Sequence, residues 1–236
     1  RHSCITISKE LLTSLRHLNI PRTDKDVLLL YSGGKDSTLA AIRLVQMGYK
    51  VYFIHFNNGF MMDTDKPYLT WQEIFSSKED YQFPYIFSDI NIQKHFQNFF
   101  KEWEKEHGNV VCNNSIHSEI QCLSCRSAMY ERAIQVALKH HFHYIAEGAR
   151  ISQKFMIEQL PMIQKFQELA ASFGLEVLYP VLFLENDQAE INELLHHGFS
   201  SKTWESKCLI GKTAQEKTEQ DNQQILNYYE TVIRPK

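Results

Sequence analysis

An aliphatic row, Val27 to Tyr31, runs straight into Ser32-Gly33-Gly34-Lys35-Asp36-Ser37. The chain then takes up an apolar pattern of helical period from Thr38 to Met47 and stops at Gly48. A row that is apolar throughout, with no polar alternation, predicts a parallel strand covered on both faces. Two consecutive glycines permit a tight turn with positive φ and close backbone approach. Where such a turn opens a helix, successive amide N–H groups point into a concavity and the helix dipole adds positive potential. That is the physics of an anion site, and a pyrophosphate is the ligand that suits it. Ser32 and Ser37 offer hydroxyl donors and Lys35 a cation. Asp36 cannot attract phosphate, so its expected role is to hold Mg²⁺ or to orient the loop. The Walker spacing G-x-x-x-x-G-K-[ST] is absent.

Four further apolar runs read as strands: Val51–Phe56, Tyr85–Phe87, Tyr144–Ala146 and Val177–Tyr179. Helical patterns lie between them, with Ile92, Phe96, Phe99, Phe100 and Trp103 on one face and Met129, Ala133, Val136 and Ala137 on another. Ile225, Tyr229, Val232 and Ile233 mark a closing helix. Alternating strands and helices predict an α/β doubly wound fold with a mainly parallel, five-stranded sheet. Ligands bind such sheets at the carboxyl ends of the strands, where the diglycine turn falls. The 236 residues are expected to form a single domain: a helical lead-in over 1–26, a core over 27–184, and a helical C-terminal tail over 185–236 that returns Cys208 to the sheet.

No apolar run is long enough to span a membrane and no signal-peptide pattern opens the chain, so cytoplasm is the expected compartment and no membrane partner is expected. The formal charge is −3, from 25 basic and 28 acidic residues, with no strong basic block. That disfavours a reading that needs unaided grip on nucleic-acid phosphates.

The five cysteines point to metal binding or catalysis more than to a disulfide framework. Cys4 and Cys112 read as ordinary apolar cysteines. Cys122-Leu-Ser-Cys125-Arg126 is expected to open a helix, whose N-terminus would lower both thiol pKa values. Cys208 follows far downstream in Glu205-Ser-Lys207-Cys208-Leu-Ile-Gly211. Three thiolates are one short of a Cys₄ site, which leaves one iron of an iron–sulfur cluster free for a ligand. Zinc would need a fourth ligand, for which His55, His117 and His143 are open. Arg126 and Lys207 flank the cysteines and could stabilise thiolate or an acceptor phosphate. Ser152 to Phe166 is a candidate wall over the acceptor, although its Phe, Met and Ile also suit a core.

The Ser-Gly-Gly-Lys-Asp-Ser turn after an aliphatic strand resembles the signature of the PP-loop, or N-type, ATP pyrophosphatases. The resemblance covers about Val27 to Pro180 and implies an adenine nucleotide α-hydrolase-like fold. It also implies cleavage of ATP between the α and β phosphates, leaving AMP on an acceptor oxygen, with Mg²⁺ on the pyrophosphate. Ser32, Gly33, Gly34, Lys35, Asp36 and Ser37 would hold the phosphates, and His55 and Phe56 in His-Phe-Asn-Asn-Gly59 would line the adenine pocket. Gly148 and Arg150, in the loop Glu147 to Lys154, would face ATP, although the Gly-His-x-x-x-Asp pattern of relatives is not matched there.

The cysteine pattern resembles the sulfur-inserting branch of that superfamily, the TtcA-, TtuA-, ThiI- and MnmA-type thiolases. It implies that Cys122, Cys125 and Cys208 ligate a [4Fe-4S] cluster or relay a persulfide. Lys35 and Asp36 would then act on ATP, and the three cysteines on sulfur. The implied partners are a sulfur donor, either sulfide or a persulfide carrier, and an acceptor, with transfer RNA ahead of a small nucleobase-like metabolite; a homodimer is compatible. Two rivals remain open: a PP-loop ligase that inserts nitrogen and keeps a structural zinc, and a non-catalytic adenine-nucleotide sensor.

Overall fold

The computed structural model describes residues 25–75, 90–107, 115–200, 202, 205–210 and 218–234. The expected lead-in up to residue 24, the strand Tyr85–Phe87, and Cys4 and Cys112 lie outside the described residues.

In chain order the elements are β1 (Asp26–Leu30), α1 (Lys35–Gln46), β2 (Lys50–Ile54), β3 (Phe56–Asn57), β4 (Met61–Met62), α2 (Lys66–Ile74), β5 (Ile90–Asn91), α3 (Gln93–His107), α4 (Ser115–Lys139), β6 (Tyr144–Glu147), α5 (Leu160–Ala171), β7 (Glu176–Leu178), α6 (Asp187–His196), β8 (Lys207–Cys208) and α7 (Glu219–Tyr228). Two 3₁₀ turns, Ile151–Gln153 and Met156–Glu158, follow β6, and a π-helical turn, Tyr229–Ile233, closes the chain. The main sheet runs β2-β1-β6-β7 and is parallel throughout, with Leu28 beside Tyr52 on one side and Ile145 on the other. β1 is buried along its whole length, as its unbroken aliphatic run predicts.

Side chains alternate across a strand, and the sheet uses both faces. Leu28, Leu30, Tyr52 and Ile54 pack with α3, α4, α5 and α7, while Val27, Leu29, Val51 and Phe53 pack with α1, α2 and α6. Helices on both faces make this the doubly wound α/β fold that the pattern of the sequence predicts.

Three local differences bear on the site. Asp26 begins β1, so residues 25–26 are not helical. The expected strand Val51–Phe56 breaks at His55, whose Nδ1 lies 3.0 Å from the Tyr31 carbonyl oxygen; beyond it, β3 pairs with β5. The tail, expected to be mainly helical, also carries a short strand: α6 lies against α1, α7 against α4, and β8 between them pairs antiparallel with β4, setting Cys208 opposite Met61. No described helix is long and apolar enough to cross a membrane.

Candidate functional site

The turn after β1 is built as its composition demands. Gly33 takes φ 80°, a conformation that a side chain disfavours. Gly34 N–H donates to Ser32 Oγ at 3.2 Å, and Ser37 Oγ donates to the Gly34 carbonyl oxygen at 3.1 Å. The Ser32 and Ser37 hydroxyls are 3.2 Å apart. Gly148, at the end of β6, packs on this turn from behind: a Cβ there would sit 2.8 Å from Ser37 N. Asp36, which also lines the cavity, meets polar partners. Gln153 Nε2 donates to Asp36 Oδ2 at 2.6 Å, and Arg150 Nε stands 3.0 Å from Asp36 Oδ1.

This turn borders a cavity of about 370 Å³. Ser32, Asp36, Ser37, His55, Phe56 and Gly148 line it, and so do Cys122, Cys125 and Cys208. Lys35, the first residue of α1, and Arg150 are not among its lining residues. Arg150 is almost fully buried, and its Nη2 also meets Asp187 Oδ1 at 2.5 Å.

Cys122 and Cys125 do not open a helix. α4 starts at Ser115, so the pair sits well inside it, one turn apart on a single face. The helix terminus is therefore too far away to favour thiolate, because its field fades within the first turn. Burial instead pushes the Cys122 thiol up to about 12, with Cys125 adding to the shift, and the Cys125 thiol up to about 11. Among the described cysteines all three are free of disulfides. Asn58 Nδ2 lies 3.3 Å from Cys125 Sγ and 3.8 Å from Cys208 Sγ, so one amide touches a sulfur on each of two elements. That amide is itself fixed, because Asn58 Oδ1 accepts from the Phe60 N–H at 2.9 Å.

Among the described residues, no three His, Cys, Asp or Glu side chains gather closely enough to hold a single metal ion. Of the histidines offered as a fourth zinc ligand, His117 accepts from Trp103 Nε1 at 3.1 Å, His55 is bound to the Tyr31 carbonyl, and His143 is exposed. As a donor set, three thiols around one cavity suit a cluster, whose thiolates bind different irons, better than one zinc ion, which draws all its ligands to about 2.0–2.3 Å.

The same cavity is lined by a polar group of which the sequence marked only Arg126, as a neighbour of the cysteines. Arg126 pairs with Glu147 and stands 3.5 Å from Glu158. Tyr130 O–H donates to Glu147 Oε2 at 2.7 Å. Burial raises the Glu158 carboxyl to about 6, with Arg126 pulling the other way. Ile157 and Glu158, from the candidate acceptor wall, line the cavity, whereas Met156 and Phe166 of the same stretch are core. Lys207 is exposed on β8.

Curated proteins compared by sequence give no match. Three solved structures are similar: a protein described as a predicted subunit of tRNA methyltransferase from Methanocaldococcus jannaschii, the U34-tRNA thiolase NcsA from Methanococcus maripaludis with its [4Fe-4S] cluster, and NMN synthetase from Francisella tularensis. Identities are 16%, 14% and 14%, with TM-scores of 0.48, 0.47 and 0.48. The matches cover 80%, 94% and 94% of this chain and 99%, 71% and 84% of the others. Likenesses this weak leave the site to be read from its own residues. The family model described as Thiamine biosynthesis protein (ThiI) matches residues 22–188, which take in the phosphate turn, Cys122, Cys125 and Gly148. The chain belongs to that family, within the PP-loop superfamily.

Proposed function

We propose that this protein is an ATP-dependent sulfurtransferase that converts a nucleobase carbonyl, in transfer RNA first, into a thiocarbonyl. One observation carries the reading: residues of the phosphate turn and three cysteines line the same cavity. Membership of the ThiI family supports an enzyme that uses ATP.

In the reaction the acceptor oxygen attacks the α-phosphorus of ATP and pyrophosphate leaves. A hydrosulfide-level sulfur then adds to the activated carbon and loses its proton, and the C–O bond breaks to release AMP. The turn amides and the start of α1 stabilise charge on the departing pyrophosphate, together with the Mg²⁺ that accompanies ATP. Asp36, held by Gln153 and Arg150, orients the turn. Phe56 and His55 flank the adenine, and Gly148 lets the turn sit close against β6. Cys122, Cys125 and Cys208 would hold a [4Fe-4S] cluster, which would supply an open iron for a sulfur ligand. Asn58 orients two of those sulfurs.

Anaerobic purification with iron and sulfide analysis and an absorption spectrum tests the sulfur half. The expected result is brown protein with close to four irons per chain, lost in Cys122→Ala. Colourless protein holding neither iron nor a transferable persulfide would overturn it.

A further inference from the structure

Asp36 is the one acid of the phosphate turn, and a second acid is buried against it. α6 is clamped to the core at two points: Arg43 grips Glu193 through Nε at 2.6 Å and Nη2 at 2.5 Å, and Arg150 grips Asp187. Midway between these two acids, and one helical turn from each, stands Glu190. It is 0% exposed, neither of its carboxyl oxygens has an aligned hydrogen-bond partner, and its carboxyl lies within reach of that of Asp36. Asp36 Oδ1 is likewise short of an aligned partner, since Arg150 approaches it without hydrogen-bond alignment. Two carboxyls with unfilled oxygens thus meet at one site, Glu190 fully buried and Asp36 partly exposed.

The charges that bear on Glu190 are Asp36 and Lys35 from α1 and Arg150 from the segment after β6. Arg150 already answers Asp36 and Asp187. A further ionised carboxylate in this dry site would be left uncompensated, which costs more than staying neutral. Burial first and the Asp36 charge second accordingly raise the Glu190 carboxyl above its ordinary range. A neutral acid also supplies what Asp36 Oδ1 lacks, an O–H donor.

We infer that Glu190 is a positioning residue which, as a neutral acid, donates a hydrogen bond to Asp36 and so holds the phosphate turn in its nucleotide-binding shape. The inference rests on the nucleotide reading above. It goes beyond the family resemblance, because the family match ends at residue 188.

Calorimetric titration of the whole chain with the Mg²⁺ complex of a non-hydrolysable ATP analogue tests it, using Glu190→Gln and Glu190→Met. Gln keeps a neutral donor of the same shape, whereas Met keeps only the volume. Glu190→Gln is expected to bind within about twofold of wild type, and Glu190→Met about tenfold more weakly, the worth of one buried hydrogen bond. Thermal melts identify any variant that does not fold; if Glu190→Met fails to fold, Glu190→Gln still decides. A folded Glu190→Gln that binds as weakly as Glu190→Met, or about tenfold below wild type on its own, would show that the anion is needed, as in a cation site, and would overturn the inference. Undiminished binding by Glu190→Met would overturn it too. Wild-type chain that binds no analogue would overturn the nucleotide reading itself.

Discussion

Gly148 is the residue on which the two halves of the phosphate site lean. A methyl group there would meet Ser37 N at 2.8 Å and the Asp36 carbonyl carbon at 2.9 Å, both backbone atoms with nowhere to go. Gly148→Ala should therefore push the turn out of shape at an overpacking cost of about 1–3 kcal/mol. Analogue affinity is expected to fall about tenfold or more, which calorimetry measures. Unchanged affinity would mean that the turn does not hold the nucleotide. Glu158 gives a different signal. Its carboxyl titrates at about 6 when folded against 4.5 ordinarily, so the folded state takes up a proton that the unfolded state has lost. Its contribution to stability is present in full below 4.5 and disappears as pH rises through about 6. The thermal midpoint should fall across that window in wild type and change less in Glu158→Gln. The diglycine turn was legible because few local structures other than an anion nest need two glycines and a serine between strand and helix. Asn58, Glu147, Glu158 and Glu190 were not legible as a set. Each is an ordinary polar residue whose meaning comes only from what long-range packing brings beside it.

At the scale of elements, α4 shows how a boundary can hide. Ile116, Ile120 and Leu123 are buried at helical spacing ahead of and through the Cys-x-x-Cys, so the helical pattern was already running before Cys122. Reading the cysteine pair as the start of the helix reversed the expected direction of its pKa shifts. β8 was invisible for another reason: two residues pairing with two more, Met61 and Met62, carry no periodicity. That short pairing nevertheless brings Cys208 to Asn58 and the other cysteines. α6 carries an element-scale prediction. Its clamp to α1 through Arg43 and Glu193 is partly exposed, with side chains 28% and 25% accessible. Glu193→Gln should then cost about 1 kcal/mol or less, lowering the thermal midpoint by about 2–4 °C at most for a chain of this size. A much larger loss would mean that the clamp holds more of the fold than α6.

For the whole molecule, the two covered faces of the sheet follow from how the strands alternate. Leu28 and Leu30 face one layer of helices, and Val27 and Leu29 face the other, so a run with no polar residue is what two covered faces require. That logic made the doubly wound fold readable from the sequence. The tail was less readable because its helices carry polar sequences and bury only a few positions each, Glu190 and Leu194 in α6 and Ile225 and Tyr228 in α7. Yet it completes the site from both sides, supplying Glu190 behind the phosphate turn and Cys208 in the cavity. Whether ATP cleavage and sulfur delivery meet in one cavity is decided by following radiolabelled sulfide into unmodified transfer RNA, with AMP and pyrophosphate measured in the same tube. Label is expected in the RNA only when ATP is present, with one AMP per sulfur transferred and loss of label in Cys208→Ser. ATP cleavage that proceeds equally without sulfide, and leaves RNA and nucleobases unlabelled, would contradict it.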